Sequence, residues 1–232
     1  MHCIFRMSTL AFLAGALVLA SASRLDGGII AISDFSVEDE GWRLTGDSTS
    51  ALPAYFSSGG NTGGFVRGQD SVVGGVWYWQ APSKFLGDDS AAYGEFLTYD
   101  LRMRGTGPLF DDSDVILTGA GLSLHFDTSS VPQDGPWTSY TVLLSETAGW
   151  RVGSLAGALA NQSQFLAVLA DLSSLRIRGE FITGPDNGDL DNVVLHANAV
   201  PEPISLSLFA IGVLGVLGGC LRASGAQRVS RQ

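Results

Sequence analysis

The stretch at residues 76–104 constrains the fold most. It reads VWYWQAPSKFLGDDSAAYGEFLTYDLRMR. Side chains alternate faces along a strand. In residues 95–104, Phe96, Thr98, Asp100 and Arg102 therefore share one face, and Leu97, Tyr99, Leu101 and Met103 share the other. One face is apolar and one mostly polar, the pattern of a strand lying on a core. In residues 76–80, Trp77 and Trp79 share a face and Tyr78 takes the opposite one. Pro82 ends that run because it has no N–H to give a ladder. Two such strands demand partners.

The rest of the chain supplies them. Short apolar or alternating runs occur at residues 29–35, from Trp42, and at 54–58, 65–68, 115–118, 122–126, 137–144, 150–152, 175–182 and 190–197. Gly-rich turns such as Gly59-Gly60-Asn61-Thr62-Gly63-Gly64 separate them. Residues 83–86 read as a single helical turn. One amphipathic helix is expected over residues 162–171: Asn161 is a good N-cap, and Phe165, Leu166, Leu169 and Leu172 repeat at helical spacing. About eleven short strands and one short helix predict an all-β fold, a β-sandwich of jelly-roll type. No repeat of 20 to 50 residues is visible, which argues against propellers and solenoids.

The two ends read as targeting segments. Arg6 precedes an apolar run at residues 7–19, and Ala20-Ser21-Ala22 is a small-x-small cleavage site. Residues 1–22 thus read as a signal peptide, with Ala20 and Ala22 marking cleavage. At the other end, Pro201-Glu202-Pro203 precedes an uncharged apolar run at residues 204–221, followed by Arg222, Arg228 and Arg231. Eighteen helical residues span about 27 Å, close to a bilayer core, so a C-terminal transmembrane helix is expected there. Basic residues beyond it would stay cytoplasmic.

This tripartite tail at residues 198–232 resembles the PEP-CTERM sorting signal of Gram-negative bacteria, carried by Pro201, Glu202 and Pro203. The resemblance implies recognition by an exosortase-type sorting enzyme, transient membrane anchoring, and delivery to the cell surface or extracellular matrix. The arginines are more dispersed here than in that family.

Charge and cysteine usage narrow the function. The formal net charge is −10. Residues 24–199 carry 9 basic and 22 acidic side chains, a balance of −13. A nucleic-acid partner needs a basic patch and is not expected. Cys3 and Cys220 both lie in the end segments, so the region between them has neither disulfide nor thiol nucleophile. No H-E-x-x-H or G-x-S-x-G pattern is present. Glu38, Asp39, Glu40, Glu95, Glu146 and Glu180 are the candidates for paired-carboxylate glycoside hydrolysis, but spacing alone fixes no pair.

The residues between the ends also resemble a family, the laminin IV type A (laminin B) domain. The matching pieces are WYWQAPSKFLGDDSAAYGEFLTYDLR, DVILTGAGLSL from Asp114, WTSYTVLL from Trp137 with Gly149-Trp150-Arg151, FLAVLADLSSLRIRGEF from Phe165, and LDNVVL from Leu190. They cover residues 38–197, behind a lead-in and first strand at residues 23–37. The resemblance implies a carbohydrate-binding-module-like jelly roll and a non-catalytic binding or adhesion module. A dedicated carbohydrate-binding module and a glycoside hydrolase are the alternatives. Exopolysaccharide or another glycan is the expected ligand.

Jelly-roll binding modules often hold a structural calcium between the first and closing strands. On that basis Asp34, Glu38, Asp189 and Asp191 are the expected calcium ligands, since carboxylates and loop carbonyls suit a hard cation. Of the aromatics, Trp79, Trp137 and Trp150 are assigned to the core. Tyr78, on the opposite face from Trp77 and Trp79, is the expected ligand-binding residue.

Overall fold

The computed structural model describes residues 27–71 and 73–198. The sorting motif and both apolar end segments fall outside the described residues. Among the described residues twelve strands form: β1 (Gly28–Ser33), β2 (Arg43–Thr45), β3 (Ala54–Phe56), β4 (Phe65–Gln69), β5 (Tyr78–Gln80), β6 (Phe96–Arg104), β7 (Val115–Gly119), β8 (Leu122–Phe126), β9 (Thr138–Leu143), β10 (Arg151–Val152), β11 (Leu172–Arg178) and β12 (Asn187–Ala197). One α-helix, α1 (Gln162–Ala170), precedes β11.

Two antiparallel six-stranded sheets face each other. The first has the order β3-β4-β12-β6-β9, with β1 also paired to β12. The second has the order β10-β8-β7-β11-β5-β2. Most sequence neighbours are split between the sheets, β3–β4 and β7–β8 being the paired exceptions, so most pairings are long-range. Among the described residues no helix is long and apolar enough to cross a membrane.

The core follows the alternation. Leu97, Tyr99, Leu101 and Met103 of β6 are buried, together with Tyr140 and Val142 of β9. Leu175 and Ile177 of β11 and Val115 and Leu117 of β7 face them from the second sheet. Trp77 and Trp79 are fully buried and meet edge-on, with centroids 5.1 Å apart. Trp77 lies just before the β5 ladder, yet it is packed closely against backbone. A β-carbon on Gly179 would come within 2.0 Å of that ring. Only glycine lets the backbone pass there.

Helix α1 begins at a capping box: the Asn161 side chain accepts from Gln164 N–H, and the Gln164 side chain accepts from Asn161 N–H, both at 3.0 Å. Phe165, Val168 and Leu169 point inward, and Phe165 meets Trp150 edge-on at 5.4 Å. The chain enters β11 three residues earlier than expected and leaves it at Arg178. It turns inward at Gly179-Glu180, so the expected strand at residues 175–182 is cut short. The helical turn expected at residues 83–86 is a 3-10 turn at Ser83–Phe85.

Candidate functional site

The outer face of the first sheet carries a dense cluster of charged side chains. Cross-strand register explains why. Asp189 of β12 stands directly opposite Arg67 of β4 on one side and Arg102 of β6 on the other. Arg104 lies one pleat further along β6, diagonal to Asp189. All three guanidiniums converge on the one carboxylate. Arg67 donates from Nε to Oδ1 at 2.6 Å and from Nη2 to Oδ2 at 3.0 Å. Arg102 and Arg104 each donate from Nε to Oδ2 at 2.8 Å. Asp189 is 0% exposed, whereas 41% of the Arg104 side chain remains open to solvent.

Aromatic rings frame these cations. Phe56 of β3 and Phe65 of β4 are stacked, with centroids 4.8 Å apart, and Phe65 meets Trp137 edge-on at 5.8 Å. The Arg67 guanidinium lies 4.8 Å from the Phe56 centroid, and that of Arg102 lies 4.2 Å from Trp137. Stacking on planar faces suits arginine and holds its fork in place. Phe56 is exposed and Trp137 half-buried.

Trp137 therefore corrects the core assignment. Tyr140 and Val142 are the buried parity of β9, so Trp137, three residues before Tyr140, falls on the outer face. Tyr78 corrects the ligand assignment. It does lie on the face away from Trp77 and Trp79, but it is only 7% exposed. Its hydroxyl donates to Asp112 Oδ1 at 3.2 Å, and the Arg176 guanidinium sits 5.2 Å from its ring. Burial pushes its phenol pKa up.

The expected calcium quartet is not assembled. Asp189 is ringed by three arginines, whose positive charges oppose a cation at this carboxylate. Asp34 and Glu38 are exposed. Asp34 Oδ1 accepts the Ser36 N–H at 3.0 Å, which lowers its pKa. Asp191 is buried beside the loop after β3 instead. Its oxygens accept N–H from Asn61 at 2.7 Å and Asn192 at 2.8 Å. Burial raises Asp191 to about 6, against these hydrogen bonds and with help from the Asp100 charge. Asn61 and Asn192 each also donate a side-chain N–H to Asp100 Oδ2 at 2.8 Å.

Sequence reading placed Arg102 on the polar face of its strand but assigned no role to Arg67, Arg102 or Arg104. The signal that could have found Arg102 and Arg104 is an arginine at alternate positions of β6, in a domain with few basic residues; Arg67, alone in β4, gives no such signal. Neither names Asp189 as the partner.

The laminin B (domain IV) family model matches residues 78–210. Over 149 residues, the chain is 31% identical to the basement membrane proteoglycan of Caenorhabditis elegans, covering 63% of this chain and 4% of that protein. Over 181 residues it is 30% identical to human laminin subunit gamma-1, covering 74% of this chain and 10% of that protein. It thus spans a small fraction of these relatives. The L4b domain of human laminin alpha-2 superimposes with a TM-score of 0.55 at 14% identity, covering 73% of this chain and 98% of that one. Matched over more than half its length by the family model, the chain belongs to the laminin B (domain IV) family.

Proposed function

We propose that this chain is an exported, non-catalytic binding module of an extracellular matrix, and that it holds an acidic glycan on the outer face of the first sheet. The single observation behind this reading is the convergence of Arg67, Arg102 and Arg104 on one carboxylate beside Phe56 and Trp137. Three guanidiniums converge on one carboxylate, and the Arg67 and Arg104 side chains remain partly open to solvent. Guanidinium forks match carboxylates and sulfates, and the adjoining rings give a sugar an apolar surface to lie on. Relatives named as basement membrane and laminin proteins support an extracellular matrix setting.

Export through the segment at residues 1–22 and exosortase-type sorting at Pro201-Glu202-Pro203 belong to the same reading. Their support is the order of charged, apolar and small-residue elements in the sequence.

A panel of uronate-bearing, sulfated and neutral polysaccharides tests the binding reading on the full chain. Acidic polymers should bind and neutral ones should not. Arg104→Ala and Trp137→Ala should each weaken binding about tenfold, the loss of one charge-assisted hydrogen bond or one stacking surface. Equal binding of neutral polymers, or indifference to both substitutions, would remove the proposal.

A further inference from the structure

Four carboxylates gather behind Trp77, apart from the arginine row. Asp47 lies in the turn after β2, Asp70 directly follows β4, Glu180 lies two residues past β11, and Asp186 immediately precedes β12. One oxygen from each of Asp47, Asp70 and Glu180 lies within 4.8 Å of the others. Asp186 is tied to them through the backbone, where Asp70 N–H donates to the Asp186 carbonyl at 3.1 Å. Two oxygens held by one calcium at about 2.3–2.6 Å stand at most about 5 Å apart, so the spacing of Asp47, Asp70 and Glu180 fits.

The second observation is unmet hydrogen-bonding capacity inside the cluster. Glu180 is 1% exposed and Asp186 is 2% exposed. Trp77 donates its backbone N–H to Glu180 Oε2 and its indole N–H to Asp186 Oδ1, both at 3.3 Å. The other oxygen of Asp186 is buried without a hydrogen-bond partner, and so are both oxygens of Asp47. Asp47, Glu180 and Asp186 enter no ion pair among the described residues. Buried carboxylates left this way either take up protons or hold a cation. Their mutual repulsion is felt: burial and the neighbouring negative charges raise Glu180 to about 7 and Asp186 to about 6. Backbone makes room as well. A β-carbon on Gly75 would lie 2.1 Å from Asp47 Oδ2, so only glycine leaves that carboxylate where it is.

We propose that Asp47, Asp70, Glu180 and Asp186 form a calcium site that clamps the ends of β2 and β11 in one sheet to the ends of β4 and β12 in the other. The donors are all oxygen, which selects a hard cation over zinc or copper. The site does not depend on glycan binding, and it is separate from the Asp34, Glu38 and Asp191 positions.

Terbium luminescence on the EDTA-treated full chain tests it. Trp77 touches two of the four ligands and would sensitise a bound Tb³⁺. Excitation of tryptophan should give terbium emission that calcium displaces. Calcium at about a hundred times its dissociation constant should raise Tm by roughly 5–10 °C. Glu180→Gln with Asp186→Asn should abolish both effects, and Asp191→Asn should leave both intact. The double variant in EDTA should melt no lower than the wild type, because it relieves repulsion. No sensitised emission, a wild-type Tm indifferent to calcium, or effects that survive in the double variant would each overturn the site. The wild-type titration decides even where a variant fails to fold.

Discussion

Asp189 shows how one side chain organises a face. It is fully buried and offers two oxygens to three arginines, whose positions follow from strand register rather than from sequence proximity. Removing the carboxylate strands three guanidiniums together, two of them half-buried or deeper. Asp189→Ala should therefore cost about 3–5 kcal/mol in urea unfolding, the range for breaking a buried ion pair from one side. Arg104→Ala removes an exposed partner and relieves crowding, so it should cost below about 1 kcal/mol. Equal losses for the two would mean that Asp189 is not the hub. None of this was legible beforehand. Asp189 reads as half of an acidic pair, Asp189 and Asp191, and its three partners lie 122, 87 and 85 residues away in sequence. What alternation did show is the parity of β6: Leu97, Tyr99 and Leu101 inward, Asp100 and Arg102 outward. Trp137 misled because a tryptophan next to alternating residues reads as core. Parity places it outside, over Arg102.

At the scale of elements, β12 carries the first sheet. Its first four residues pair with β4, its last five with β1, and β6 runs along its other edge. The changeover falls at Asp191-Asn192, where the register with β6 slips and Asn192 adopts φ 50°. A bulge kinks a strand and frees backbone groups. Here Asp191 takes up the N–H groups of Asn61 and Asn192, and so fastens the loop after β3 to the bulge. Burial is the main cause of its raised pKa, about 6 against 3.8. A carboxyl with a raised folded pKa holds its proton more tightly folded than unfolded. Its contribution is therefore greatest below about 4 and is lost as pH rises through about 6. Relative to Asp191→Asn, the wild type should be most favoured near pH 4, and its advantage should shrink by pH 7. Thermal melts of both proteins across that range check it, and an advantage that grows with pH would contradict it. The strand itself was legible as LDNVVL. The bulge was not, because it is set by neighbours on both edges.

For the whole molecule, local and global charge oppose each other. Residues 24–199 carry a net −13, yet the proposed glycan face gathers three arginines around one aspartate. Jelly-roll topology produces this contrast. It brings together basic residues from β4 and β6, whereas the acidic residues of the described chain lie in loops and turns, apart from Asp100, Asp189 and Asp191 of the first sheet. An anionic polymer approaching from a distance meets the net negative field first and the guanidiniums only at contact. Salt screens the two differently, since the Debye length is about 30 Å at 0.01 M but about 10 Å at 0.1 M. Between those concentrations the long-range repulsion fades while short, partly buried contacts persist. Beyond about 0.3 M the contacts weaken too, because chain-bound counterions no longer gain by release. Affinity for a uronate polymer should thus pass through a maximum near 0.1 M salt. A neutral polymer should show no such curve. Reversing two surface acidic residues on the loops, Glu38→Lys and Asp39→Lys, should move the maximum toward lower salt without touching the arginines. A steady fall in affinity from the lowest salt upward would mean that the domain's net charge plays no part in how a polymer reaches this face.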